Sequence, residues 1–283
     1  MYQLEFTCTT PSSFIPRGLQ NGKYKYALDP NYEEKVREMK EAGIKKVEFV
    51  IPYIMDIDAA KKMLKRTLKI IKKYKLTINS IHMPFNVFWM DMACQWENDR
   101  KDIINTVKNI IKYIDKHFNP KVYVFHPGGD EAKEETREKF MDYLVETIDE
   151  IATATKAYVC VENMVGGCLT NGLERIKEFA DKSKNAYVIV DVNHFLDCKP
   201  QDAILALGDR VKAVHISDYD FVYERHMIPG DGLNDWNKII GALEKIGYKG
   251  AFNYEVNMGR YGYTYKQLIE NYEKLFEEYN KSK

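Results

Sequence analysis

Short β-branched and aromatic runs recur along this chain, each followed by a charged stretch whose apolar residues fall every third or fourth position. This alternation constrains the fold more than any other feature. The runs are Tyr2–Thr7, Lys46–Ile51, Thr77–His82, Val122–His126, Ala157–Glu162, Ala186–Asp191, Val211–Ile216 and Ala251–Val256, eight candidate strands. Between them, sets such as Ala60, Met63, Leu64, Leu68, Ile71 and Tyr74, or Phe140, Leu144, Ile148 and Ile151, have the spacing of amphipathic helices. The first helix is expected to open on Asp29-Pro30 and stop at Gly43, and the last to run over Tyr265–Tyr279. Such alternation demands parallel strands, because each helix carries the chain back to the same edge of the sheet. The simplest closed solution is one (β/α)8 TIM barrel over residues 1–283, a fold for which about 250 residues is ordinary. An open doubly wound sheet is disfavoured, since no G-x-G-x-x-G follows the first run.

Composition narrows the function classes. Lys+Arg and Asp+Glu both number 42, so no net field draws the chain to nucleic acid or to an anionic membrane. The five cysteines (Cys8, Cys94, Cys160, Cys168, Cys198) are scattered without a C-x-x-C pair, as expected for free thiols in a reducing compartment. The opening MYQLEFTCTT lacks the pattern of a signal peptide, and nowhere does an uncharged apolar run reach the roughly 18 residues of a membrane span. A cytoplasmic protein is expected.

Parallel strands buried on both faces should be apolar to their ends, so an ionisable residue there asks for a reason. Six runs carry one: His82, His126, Glu162, Asp191, His215 and Glu255. In a barrel all six ends meet at one face, the face that carries the active site in TIM-barrel enzymes. Five of the six histidines (His82, His126, His194, His215, His226) lie at or just beyond these ends, and only His117 stands apart. Four buried acids and imidazoles facing one point would repel or stay unsatisfied without a cation. Glu162, Asp191, His215 and Glu255 are therefore the candidate ligands of a divalent metal. Three carboxylates with one imidazole suit Mn²⁺ first, then Mg²⁺, with Co²⁺ or Zn²⁺ also compatible. A metal bridging a carbonyl and the adjacent hydroxyl acidifies the proton on the carbon between them by stabilising an enediolate, and Glu162 and Glu255 are placed to take or return it.

Read together, HMP at His82, HPGG at His126, VEN at Glu162, DVNH from Asp191, VHISD at His215, ERHMIPGDGLNDW from Glu224 and NYEV at Glu255 give the chain a family likeness. In their order and spacing it resembles the xylose-isomerase-like superfamily of sugar-phosphate isomerases and epimerases, which includes endonuclease IV. The resemblance implies that Glu162, Asp191, His215 and Glu255 are metal ligands and that the two glutamates exchange the substrate proton. It implies that His194 holds substrate oxygens, as does Arg225. A small sugar or sugar phosphate is the implied substrate, with catalysis at Glu162, Glu255 and His194, and His82, His126, Arg225, His226 and Trp89 in contact with it. The endonuclease IV likeness implies instead a multinuclear zinc phosphodiesterase, with His82, His126, His194, Glu224 and His226 as added ligands. Against DNA, the G-x-H-x-S signature of that branch is missing from TCTTPSSFIPRGLQ, glutamate stands at 224 where aspartate is usual, and there is no basic footprint.

The segment Phe85-Asn86-Val87-Phe88-Trp89-Met90 reads as an aromatic wall to a pocket or as a packed loop. Gly166-Gly167 and Gly230-Asp231-Gly232 permit tight turns, with no P-loop pattern around them. Glu48 faces either the site or a neighbouring lysine. Lys61-Lys62 and Lys72-Lys73 read as a solvated helix face, and the 20 tyrosines point to no ligand. No exposed apolar stripe marks an oligomer contact, and a homo-oligomer remains open.

Overall fold

The computed structural model describes residues 1–20, 23–52, 57–85, 90–129 and 132–283. β1 (Glu5–Thr9) is followed by β2 (Phe14–Gln20), β3 (Lys23–Leu28) and α1 (Tyr32–Glu41). Strand and helix then alternate through β4 (Lys46–Val50), α2 (Ile57–Lys73), β5 (Thr77–His82), α3 (Glu97–His117), β6 (Val122–Phe125) and α4 (Arg137–Ala152). The pattern continues with β7 (Tyr158–Glu162), α5 (Gly172–Lys182), β8 (Tyr187–Asp191), α6 (Pro200–Leu207), β9 (Val211–Ile216), α7 (Trp236–Lys245) and β10 (Ala251–Tyr254). A short α8 (Met258–Tyr261) and a long α9 (Tyr265–Lys281) follow. β1, β10, β9, β8, β7, β6, β5 and β4 pair in that order into a closed barrel, every pairing parallel. The (β/α)8 TIM barrel expected from the alternation is the fold observed.

Alternation along the staves aims the site. Val122, Val124, Cys160, Ile189 and Ala213 pack together as an apolar plug inside the barrel. Residues two apart on a strand share a face, so Glu162, Asp191 and His215, each two beyond a plug residue, point the same way at the end of the barrel. Their neighbours Val161, Val190 and Val214 join the larger core beneath the helices, with Ile148, Ile176, Ile204 and Ile239.

Several boundaries differ from those expected. The first strand begins at Glu5 rather than Tyr2 because Tyr2 pairs with the end of α9: its N–H donates to Asn280 Oδ1 and its carbonyl accepts from Asn280 Nδ2, both at 2.9 Å. Pro30 precedes α1 rather than opening it; Asp29 accepts the N–H groups of Asn31 and Tyr32, 2.8 and 3.0 Å, in a turn that delays the helix to Tyr32. Gly43 does follow the end of α1, at φ +98°. The antiparallel β2–β3 pair was not expected. The sequence between the two strands is Asn21-Gly22, a dipeptide favoured in hairpins, and lies outside the described residues. Proline at the first helical position is found at α6 instead, as Pro200.

Tyrosines serve largely as packing. Tyr272 and Phe276 of α9 lie 5.0 Å apart, and Tyr272 meets Phe6 at 5.2 Å, which closes the barrel over the β1–β10 seam. The Tyr272 hydroxyl donates to the Leu4 carbonyl, so the ring buries its apolar body with the polar tip satisfied. All five cysteines are free thiols. Among the described residues no helix is long and apolar enough to cross a membrane.

Candidate metal centre at the barrel mouth

Six strand ends deliver their ionisable residues to one place. His215 Nδ1 lies 2.8 Å from Glu255 Oε2, 3.1 Å from Glu162 Oε1 and 3.9 Å from Asp191 Oδ2. The candidate donor atoms of Glu162, Asp191, His215 and Glu255 are all within 4.8 Å of one another. Two further groups flank this set under the same spacing, His82 with His126 and Glu162, and Asp191 with His194 and His226. Glu162 belongs to two groups and Asp191 to two. His82 Nε2 and His126 Nε2 approach Glu162 Oε2 at 3.6 and 3.4 Å. His194 Nε2 stands 3.4 Å from Asp191 Oδ2 and 3.5 Å from Glu224 Oε1, and His226 Nε2 2.7 Å from that same Glu224 oxygen.

Buried polar atoms are ordinarily hydrogen-bonded, and each exception asks for a cause. Among the described residues Glu162 Oε2, Asp191 Oδ2 and His194 Nε2 are buried without a hydrogen-bond partner. All three face the cluster. Such orphaned donor atoms fit a bound cation, and an oxygen-rich set with imidazole suits a divalent ion.

Electrostatics agree. Burial would raise the Glu162 carboxyl, yet His215, His126 and His82 hold it well below the usual range. At Asp191 burial wins over the nearby imidazoles and lifts the carboxyl to about 6. Burial would lower His194 and His226, but Asp191 and Glu224 raise the first to about 10, and Glu224, Asp191 and Glu255 the second to about 9. His215 is likewise held well above its ordinary value against burial, by Glu255, Glu48 and Glu162. His126 has less carboxylate support, and burial lowers it. The acids therefore share protons with the imidazoles, and a dication would displace them.

Residues that the sequence reading passed over hold these groups in place. Asn163 clamps the end of β8, with Nδ2 donating to the Asp191 carbonyl at 3.0 Å and Oδ1 accepting the Asp191 N–H at 2.8 Å. Asn193 Oδ1 accepts the N–H groups of Arg225 and His226 at 3.1 and 3.2 Å, tying their loop to the end of β8. Asp218, fully buried, accepts from Tyr219 N, Gly230 N, Asn234 N and the Trp236 indole at 2.8–3.1 Å. The loop around Gly230-Asp231-Gly232 thus wraps an internal carboxylate rather than a ligand phosphate. Asp218→Asn leaves two of those donors facing an NH₂ group whichever way the amide turns. It should cost about 1–3 kcal/mol, read as a lower denaturant midpoint at an unchanged slope.

Glu48 faces the barrel interior, not a lysine: its Oε1 lies 2.9 Å from His215 Nε2. Phe85 stacks on His126, centroids 5.0 Å apart, and meets the His82 ring edge-on at 5.4 Å, so it walls the histidine pair. Trp89 lies outside the described residues. Arg225 is near in sequence, but its guanidinium is turned to Asp220 at 2.7 Å and rests over the Tyr223 ring. The structure therefore does not bring its charged head among the candidate ligands. His117 sits at the end of α3 against Tyr113, apart from the cluster as expected. In HPGG, Gly128 has φ +69° and a Cβ there would lie 2.0 Å from Asp91 Oδ1, the acceptor of the Gly129 N–H. Gly128→Ala should cost about 1–3 kcal/mol through strain in the loop behind His126, measurable by equilibrium unfolding.

A model of the xylose isomerase-like TIM barrel family matches residues 36–278. The chain belongs to this family. It is similar to an uncharacterised protein of Methanocaldococcus jannaschii, 21% identical over 170 residues, covering 59% of this chain and 66%, just under two thirds, of that one. Among solved structures it is similar to a D-tagatose 3-epimerase-like protein, with 20% identity, a TM-score of 0.67, and coverage of 83% of this chain and 90% of that one. It is also similar to the 3-keto-D-glucoside 4-epimerase of E. coli, at 16% identity and a TM-score of 0.67 over 96% of this chain and 99% of that one. At these identities the likeness shows a shared fold. The hairpin of β2 and β3 precedes the region matched by the family model.

Proposed function

We propose that this chain is a divalent-metal-dependent sugar isomerase or epimerase with Glu162 and Glu255 as its proton-transfer pair. The observation that carries the reading is the convergence of Glu162, Asp191 and Glu255 on His215 Nδ1, with buried carboxylate oxygens left over. Glu162, Asp191, His215 and Glu255 would hold the cation, Mn²⁺ by preference for this donor set, with Mg²⁺, Co²⁺ or Zn²⁺ also compatible. When bound, it would supply Lewis acidity to a carbonyl and its neighbouring hydroxyl. Glu162 and Glu255 come from β7 and from the residue after β10, well separated around the barrel, so they approach a substrate from different sides. One takes the proton from the carbon beside the carbonyl and the other returns it. His194, whose Nε2 has no hydrogen-bond partner, would donate to a substrate oxygen, His226 would orient Glu224 beside it, and Phe85 offers an apolar face to the sugar ring. Epimerases among the structural neighbours support this assignment.

One observation favours a second reading. Two more ligand groups adjoin the first and share Glu162 and Asp191 with it. A centre of several zinc ions cleaving phosphodiesters would use His82, His126, His194, Glu224 and His226 in that way. The balanced charge of 42 against 42 gives that reading no electrostatic footprint for a polyanion.

Metal-loaded protein incubated in D₂O with a panel of free and phosphorylated ketoses and aldoses tests the choice. Deuterium at the carbon beside the carbonyl of one substrate is expected. No incorporation across the panel, together with nicking of abasic-site DNA by the zinc-loaded protein, would replace the first reading by the second.

A further inference from the structure

We propose that Glu48 is a positioning residue of the metal centre, holding His215 so that Nδ1 rather than Nε2 is offered to the cation. The inference rests on the metal-centre reading above and assigns a role that none of the strand-end residues explains.

Three of the clustered histidines are oriented alike. His82, His194 and His226 each donate from Nδ1 to a backbone carbonyl, of Met83, Asn163 and Glu255, at 3.0, 2.9 and 3.0 Å. Each therefore presents Nε2 to its acidic neighbour. His215 is reversed: Nδ1 faces Glu162 and Glu255, and Nε2 lies 2.9 Å from Glu48 Oε1. Its partner is a carboxylate, not a carbonyl.

Donor groups surround Glu48. It is 1% exposed, and its oxygens receive donors from three other strands besides β9. Ser80 Oγ of β5 reaches Oε2 at 2.9 Å, while Thr9 Oγ1 of β1 and Asn253 Nδ2 of β10 reach Oε1 at 3.2 and 3.3 Å. The amide of Asn253 is itself oriented, since its Oδ1 accepts from Thr7 Oγ1 at 2.8 Å and its Nδ2 also donates to Thr9 Oγ1 at 3.0 Å. A carboxylate so surrounded by donors remains an acceptor, so the hydrogen shared with His215 belongs to Nε2. Once a cation displaces the Nδ1 proton, the lone pair of the neutral ring would be on Nδ1, among the three carboxylates. A carboxylate behind a metal-binding imidazole fixes the ring and increases the basicity of the opposite nitrogen, and loss of such a partner typically weakens metal affinity about 10–100-fold.

The test is Mn²⁺ titration of the full chain by calorimetry for wild type, Glu48→Gln and Glu48→Ala, with folding checked by circular dichroism. Long-range ¹H–¹⁵N spectra of the Zn²⁺-loaded wild type report the histidine tautomers. Expected are a loss of Mn²⁺ affinity of about 10–100-fold in Glu48→Ala, a smaller loss in Glu48→Gln, and a His215 ring protonated at Nε2. If the alanine variant fails to fold, the glutamine variant and the wild-type spectrum carry the test. Unchanged affinity in a folded variant, or a His215 ring protonated at Nδ1 and bound through Nε2, would overturn the role of Glu48 while leaving the metal centre standing. A wild type that binds no divalent ion would overturn the metal-centre reading and the role of Glu48 with it.

Discussion

Glu162→Gln should slow substrate proton exchange by roughly 10²–10⁴-fold, the range that a positioned acid or base contributes. The expectation follows from where Glu162 stands. It is 1% exposed, belongs to two of the three candidate ligand groups, and meets His82, His126 and His215 within 3.6 Å. Glutamine keeps the volume and one carbonyl oxygen but has no charge and no capacity to hold a transferable proton at pH 7. Its amide would also place donors against neighbouring imidazoles. Metal content must be measured beside the exchange rate, because Glu162 is a candidate ligand as well. A variant that retains its metal and loses exchange assigns the proton transfer to Glu162; exchange at the wild-type rate removes Glu162 from the chemistry.

The second large effect is on stability. His215→Ala in the metal-free protein should cost about 3–5 kcal/mol, the usual penalty for removing one member of a buried charge pair. Both His215 and Glu48 are essentially inaccessible, at 0% and 1%. Without the imidazole, Glu48 keeps only neutral donors, and Glu162, Asp191 and Glu255 face one another across the space it leaves. Adding Glu48→Gln should recover part of the loss, since it removes the stranded charge. Denaturant titration of the two single variants and the double variant measures this as a coupling between the sites. Additive losses would show that the His215 and Glu48 side chains do not depend on each other.

Much of this was legible in the sequence for a physical reason. A parallel strand covered on both faces is apolar along its length, so His82, Glu162, Asp191 and His215 stand out at strand ends without any knowledge of neighbours. Glu48 is legible only as facing either the site or a neighbouring lysine. In KVEFV it reads as one more alternating polar residue, and its role depends on Thr9, Ser80, His215 and Asn253, which sit on four other strands and meet it only when the barrel closes. Asn163, Asn193 and Asp218 lie inside VEN, DVNH and VHISD, but their work is to hold backbone N–H and carbonyl groups of distant segments, which spacing does not reveal. Arg225 shows the converse limit: its position along the chain is close to the cluster, while Asp220 and Tyr223 turn its head aside. At the amino end, hydrophobic patterning alone placed Tyr2 in the first strand, because the competing partner, Asn280, is almost the whole chain away.

The claim on which the rest depends is a cation among Glu162, Asp191, His215 and Glu255. Diffraction from Mn²⁺-soaked crystals, collected on both sides of the manganese absorption edge, tests it most directly. An anomalous peak bounded by those four side chains is expected, with loss of the peak after chelation. A crystal that takes up no manganese there, or takes it up only elsewhere, would contradict the metal centre and the proton-transfer roles built on it.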